Sequence, residues 1–169
     1  MHEQNAHTHV GIVMGSRSEW HTIQHTANTL AKLGISYDVR IVTVNRSTNQ
    51  LNDYADNAND RGLEVIIASL GGAAPLPSIL ANKTEIPILG VPVQTQPSNS
   101  KKTKQSRSNS HETRFINPLT TGKTGAENVA ILAASILSET YPTIRKALTV
   151  FRHQQQSEKS FQSNSRNVA

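Results

Sequence analysis

The 169-residue chain contains no cysteine, which excludes disulfides, thiolate nucleophiles and cysteine-ligated metals and fits a reducing compartment. It has no long apolar run either. Its apolar runs, such as residues 10–14 and 65–68, are far below the roughly 20 residues needed to cross a bilayer. The polar start Met1-His2-Glu3-Gln4-Asn5 lacks the apolar segment of a signal peptide. These absences give the expectation of a cytoplasmic protein with no membrane partner. A third absence concerns the formal charge of +5. Lys101, Lys102, Lys104, Arg107 and Arg114 face one acid, Glu112, and Arg145, Lys146, Arg152, Lys159 and Arg166 face one acid, Glu158. The rest of the chain is therefore mildly acidic, and no aromatic lies between Lys101 and Arg114 to stack a base. A solvated basic loop is expected there rather than a nucleic-acid partner.

The length is that of one ordinary domain. Its organisation reads as a flexible amino terminus over residues 1–8, a single α/β domain over 9–152 with a polar loop at 97–114, and a flexible Gln- and Ser-rich tail over 153–169. On this reading the clustered His2, His7 and His9 belong to a loose terminus rather than to a metal site. Within the domain, apolar runs alternate with helical patterns. Residues 9–14 end in Gly15-Ser16 and a helix through Trp20, Ile23, Ala27 and Leu30 that stops at Gly34. Residues 37–44 lead to Arg46, Ser47 and a helix through Leu51, Tyr54 and Ala58. Residues 65–68 meet Gly71-Gly72 and a helix from Pro75 to Asn82, and residues 86–93 form a fourth run broken by Pro87 and Pro92. A weak fifth strand at Phe115, Ile116 and Leu119 precedes a helix reaching Leu137, and another helical stretch follows Pro142. Continuous apolar strands alternating with helices predict a parallel sheet covered on both faces, with ligands at the carboxyl ends of the strands.

Those strand ends carry the candidate site residues. Ser16 and Glu19, Ser47 and Gln50, and Thr124 and Glu127 have capping-box spacing. At the first of these, the amides of residues 15–18, the helix dipole and the Ser16 and Ser18 hydroxyls also suit a phosphate. Arg46 would add a bidentate clamp for the same anion. Gly71 and Gly72 would let a ligand approach the main chain, or simply turn it. Gly122-Lys123-Thr124 is not a P-loop, because Asn117 stands where the first glycine is required.

Taken together, residues 10–20, Arg46, Gly71-Gly72-Ala73-Ala74 with Leu76-Pro77, residues 81–84, Gly90-Val91-Pro92-Val93-Gln94 and residues 122–128 resemble the bacterial N5-carboxyaminoimidazole ribonucleotide mutase family of purine biosynthesis, the PurE-type AIR carboxylases. The resemblance implies a three-layer α/β sandwich with a parallel, flavodoxin-like sheet. It also implies an octamer, or a mixed oligomer with an active paralogue, and no cofactor. The implied reaction moves a carboxylate from the exocyclic nitrogen of an aminoimidazole ribonucleotide to a ring carbon, by release and recapture of carbon dioxide. Carried over, Ser16, Ser18 and Arg46 hold the phosphate, Glu19 faces the ribose, and Gly71, Gly72, Ala73 and Ala74 line the carboxylate pocket.

The sequence departs from that pattern at chemically important places. The motif Ser-Ala-His-Arg stands as Thr43-Val44-Asn45-Arg46, and the histidine after Gly-Gly-Ala-Ala is Pro75. Glu19 replaces an aspartate, and Ser69 the first glycine of the Gly-Ala-Gly-Gly loop. Residues 100–121, apolar in the family, are mostly Lys, Ser, Thr and Asn here. No catalytic residue is intact on this reading, so the expectation is a pseudoenzyme that keeps the phosphate site and has lost most or all mutase activity. The alternatives are an active mutase using unfamiliar groups, or a structural oligomer whose basic loop binds a partner.

Overall fold

The computed structural model of the protein describes residues 8–42, 48–71, 75–93, 116 and 120–165. Four parallel strands, β1 (Val10–Met14), β2 (Tyr37–Ile41), β3 (Val65–Leu70) and β4 (Ile88–Pro92), lie in the order β2-β1-β3-β4. Helices α1 (Trp20–Lys32), α2 (Thr48–Asp56), α3 (Leu76–Ala81), α4 (Gly122–Leu137) and α5 (Pro142–Ser165) flank them. The register pairs Ile12 with Val39 on one side and Ile67 on the other, and Ile67 with Leu89. This is the flavodoxin-like order, and the connections leave β1 in opposite directions between β1 and β3.

Period-two alternation divides the buried side chains into two cores. Ile12, Met14, Val65, Ile67, Leu89 and Val91 face a cluster with Ile23, Leu30, Val129, Ala133, Ile144 and Leu148 of α1, α4 and α5. Val13, Ile66, Ala68 and Ile88 face Leu51, Tyr54, Leu76 and Leu80 of α2 and α3. The central strands β1 and β3 are buried along nearly their whole length, with Ser69 as the polar residue among them, because both faces are covered, the helix–sheet–helix layering that continuous apolar runs predict. No helix among the described residues is long and apolar enough to cross a membrane.

Several local expectations change. The run at 37–44 is strand only to Ile41, and residues 43–47 lie outside those described. Of the weak fifth strand only Ile116 is described. It makes a parallel bridge to Leu89, donating to Ile88 O at 3.0 Å and accepting from Gly90 N at 2.7 Å, while remaining half exposed. Helix α4 starts at Gly122 after Thr121, which places Thr124 inside the first turn rather than at the cap. Gly122 itself has a left-handed φ of 67°. Helix α5 continues past His153, where composition suggested fraying, to Ser165. His9, grouped by proximity with His2 and His7, packs its ring on Tyr141 at 4.5 Å and lies 2.8 Å from Glu64, which also accepts from the Tyr141 hydroxyl at 2.6 Å. That cluster ties the starts of β1 and β3 to the start of α5. The polar loop at 97–114 lies outside the described residues.

Gly11, in the middle of β1, is required by close packing rather than by conformation. A Cβ there would overlap the Tyr54 hydroxyl and come within 2.9 Å of Leu63 Cδ1. Tyr54 is nearly buried against α2's own core, so its ring has little room to retreat. Gly11→Ala is therefore expected to destabilise the protein by about 1–3 kcal/mol. Urea denaturation checks this, with a lowered midpoint at unchanged slope as the predicted result.

Candidate functional site

Strand β1 delivers the chain at its carboxyl end to Gly15 and Ser16, and a single 3-10 turn over Arg17–Glu19 then leads directly into α1. Ser16 has extended backbone (φ −155°, ψ 160°) and its carbonyl accepts from Glu19 N at 3.3 Å. The capping box expected from the spacing does not form. Ser16 makes no side-chain cap; its Oγ lies 2.7 Å from Ser18 Oγ. The Glu19 carboxylate reaches back one residue further than a capping box would, accepting from Gly15 N–H at 2.9 Å. Serine is thus released from capping, and the two hydroxyls converge on one exposed spot at the start of the helix.

Their pairing has a chemical consequence. In a hydroxyl pair one proton lies between the oxygens, leaving the other free to donate outward. The first amides of a helix also have no intrahelical acceptor and carry the positive end of its dipole. A phosphate would meet two hydroxyls and unpaired N–H groups here. Gly15 is a correction to that set, because its N–H is already bonded within the protein.

The second acceptor for that N–H is Ser69 Oγ, 3.4 Å away on β3. Ser69 is 2% exposed and Glu19 5% exposed, so a carboxylate and a hydroxyl are buried side by side where the strand order reverses. Sequence reasoning marked Ser69 only as a replaced glycine. Its inward direction follows from alternation in β3, but its meeting with Gly15, 54 residues away, needed the parallel register. Two residues on, Gly71 has a φ of 131° and lies so close to β4 that a Cβ would sit 2.5 Å from Val93 O. Val93 N in turn donates to Leu70 O at 2.8 Å. Gly71 thereby keeps the ends of β3 and β4 together, which is a positional need for glycine and not merely a turn preference.

Pro75 occupies the N-cap of α3 with φ −79° and is exposed. Asn45, Arg46, Gly72, Ala73 and Ala74 lie outside the described residues. Of the named set, the structure brings together Ser16 with Ser18 and, through Gly15, Glu19 with Ser69. His21, on the first turn of α1, places Nδ1 2.6 Å from Ser18 O. A carbonyl only accepts, so that nitrogen carries the proton and Nε2 is the basic one. A separate open cleft of about 830 Å³ lies between α1, α4 and α5, lined by Lys32, Lys123, Lys146, Glu127 and Phe151. None of its walls comes from the strand ends.

Comparison with known proteins identifies the family of the chain. The sequence pattern of the family described as AIR carboxylase matches residues 9–158. The chain belongs to the AIR carboxylase family. It is 46% identical over 146 residues to the N5-carboxyaminoimidazole ribonucleotide mutase of Pseudomonas aeruginosa, covering 86% of this chain and 90% of that protein. To the protein of the same name from Vibrio cholerae it is 39% identical, with 86% and 91% covered. The crystal structure of Treponema denticola PurE superposes with a TM-score of 0.73 at 20% identity, covering 95% of this chain and 98% of that one. The AIR carboxylase fold is thus present, with the strand-end crevice between β1 and β3.

Replacing Gly71 in this AIR carboxylase-family chain tests the account of the crevice wall. Gly71→Ala combines an unfavourable φ with a backbone overlap that no side-chain rotation relieves, so a loss of about 2–4 kcal/mol is expected. Thermal unfolding measures it, and a change below ~1 kcal/mol would show that β3 and β4 separate freely.

Proposed function

We propose that the chain binds an aminoimidazole ribonucleotide-type small molecule through its phosphate and has lost, or retains only a small part of, the mutase activity of its relatives. The observation that supports it most directly is the exposed Ser16–Ser18 hydroxyl pair at the start of α1. Its position suits a phosphate on electrostatic grounds as well as by hydrogen bonding. Arg46, carried over from the family resemblance, would supply the matching charge.

The chemical side of the reading rests on two substitutions. Moving a carboxylate to a ring carbon requires a group that takes that carbon's proton and returns one to the amine. Asn45 donates and accepts hydrogen bonds but does not exchange a proton near neutrality, and Pro75 has no side-chain polar atom. A positioned acid or base contributes on the order of a hundred- to ten-thousand-fold in rate. The polar composition of residues 100–121 adds to the loss, because a wet pocket favours escape of released carbon dioxide over recapture.

A second reading, an active mutase using a different imidazole, has His21 in its favour, since its Nε2 is basic and its ring stands beside the serine turn. The two readings separate in one series. The unmodified protein is expected to bind 5-aminoimidazole ribonucleotide, and Arg46→Ala to weaken that binding roughly ten- to a hundredfold, the loss of a charge-assisted contact. Turnover of N5-carboxyaminoimidazole ribonucleotide is expected to fall at least about a hundredfold below an ordinary enzyme rate, and to rise when Asn45→His, Pro75→His and Glu19→Asp are combined. Ordinary turnover by the unmodified chain, abolished by His21→Ala, would replace the first reading with the second.

A further inference from the structure

The crevice contains a polar contact that none of the roles above uses. Gly15 N–H is shared between Glu19 Oε2 at 2.9 Å and Ser69 Oγ at 3.4 Å, and both side chains are almost fully buried. We propose that Ser69 is a positioning residue that fixes the Glu19 carboxylate, and through it the orientation of a hydroxyl-bearing ligand in the crevice; this rests on the ribonucleotide reading above. Ser69 and Glu19 are two of the positions at which the sequence departs from its family pattern, and they meet at one hydrogen atom.

The argument starts from the donors and acceptors available. A serine hydroxyl that accepts from an N–H keeps its own proton to donate. Among the described residues, Gly15 N–H is the one hydrogen-bonding partner of Ser69 Oγ. A buried hydroxyl proton without an acceptor is costly, whereas one directed at a charged oxygen forms a strong bond. The adjacent oxygen is Glu19 Oε2, which shares the same amide. Rotation of the hydroxyl about Cβ–Oγ turns its proton toward that oxygen while Oγ keeps its contact with Gly15 N–H. In the proposed arrangement Glu19 Oε2 is held from two sides, by the Gly15 N–H bond seen in the structure and by the Ser69 hydroxyl from β3.

Fixing Oε2 fixes Oε1. That second oxygen lies beside Gly15, where a Cβ would approach it to 3.3 Å, nearer than Oε2 at 3.8 Å. An ionised carboxylate oxygen accepts hydrogen bonds and repels anions. It therefore selects hydroxyl donors for its side of the turn and sends a phosphate toward Ser16 and Ser18. A ligand with a phosphate at one end and a vicinal diol next to it satisfies both halves; inorganic phosphate satisfies only one. Ser69 on this account touches no ligand, and acts by preventing the carboxylate from swinging out into the crevice.

A double-mutant cycle in the full-length protein, with Ser69→Ala, Glu19→Gln and the pair, tests the proposal by calorimetry with inorganic phosphate, ribose 5-phosphate and 5-aminoimidazole ribonucleotide as probes. Ser69→Ala is expected to weaken the two sugar phosphates roughly three- to tenfold and leave inorganic phosphate unchanged, with no further loss in the Glu19→Gln background. Equal weakening of all three probes, or a full additional loss in that background, would overturn it. A ligand-free readout keeps the two levels apart: the Gly15 amide resonance and its hydrogen exchange are expected to shift in Ser69→Ala and in Ser69→Gly, the second variant covering any packing defect of the first. An unchanged Gly15 amide in both refutes the positioning role even if every probe binds. Failure of the unmodified protein to bind any sugar phosphate refutes the ribonucleotide reading, and the amide result then decides whether Ser69 holds Glu19 regardless.

Discussion

Gly15 lies one residue beyond β1, and its N–H is satisfied by two side chains rather than by the sheet. That single donor couples three segments. It draws the Glu19 carboxylate back over the turn, it contacts β3 through Ser69, and in doing so it leaves Ser16 without a capping role. The extended Ser16 backbone and the short 3-10 turn are what allow the carboxylate to reach. With its capping function gone, the Ser16 hydroxyl pairs with Ser18 at the solvent side. The division of the crevice into a buried acceptor side and an exposed donor side follows from this arrangement.

The sheet supplies the frame for it. Parallel strands place their carboxyl ends at one edge, and the chain connections diverge between β1 and β3, where Gly15 and Ser69 meet. Gly71 closes the far wall by letting β3 approach β4 more tightly than any side chain would permit. At the opposite edge, His9, Glu64 and Tyr141 tie the strand starts to α5, so the two ends of the sheet are fixed by different chemistry. One end is a packed hydrogen-bonded and aromatic cluster, the other a set of polar groups aimed partly at solvent.

Much of the frame was legible from residues alone. The unbroken apolar runs of β1 and β3 reflect burial on both faces, and Gly34 marks the end of α1 with its left-handed φ of 68°. The family itself was legible because the resemblance depends on spacing, which survives substitution, and the family pattern matches residues 9–158. Capping was less legible. Ser-x-x-Glu spacing says that a carboxylate can reach back, but not which amide it will take, and here the choice went to Gly15. Thr124 was misplaced for a similar reason, since α4 begins three residues earlier, at Gly122 after Thr121. Ser69 was seen only as a missing glycine because its partner comes from register, a long-range property that no local pattern contains. The extension of α5 through Gln-rich sequence shows that polar composition alone does not end a helix whose residues have adequate propensity.

The proposed function is that this AIR carboxylase-family chain keeps groups that grip an anion and lacks the family's proton-moving histidines, Asn45 and Pro75 standing in their places. Determining the structure of the protein with 5-aminoimidazole ribonucleotide bound tests that most directly. The predicted result is a phosphate seated on the Ser16 and Ser18 hydroxyls, with no histidine or other group titrating near neutrality within hydrogen-bonding distance of the imidazole ring. A phosphate bound elsewhere, or a protonatable side chain from the same or a neighbouring subunit against the reacting carbon, would contradict it.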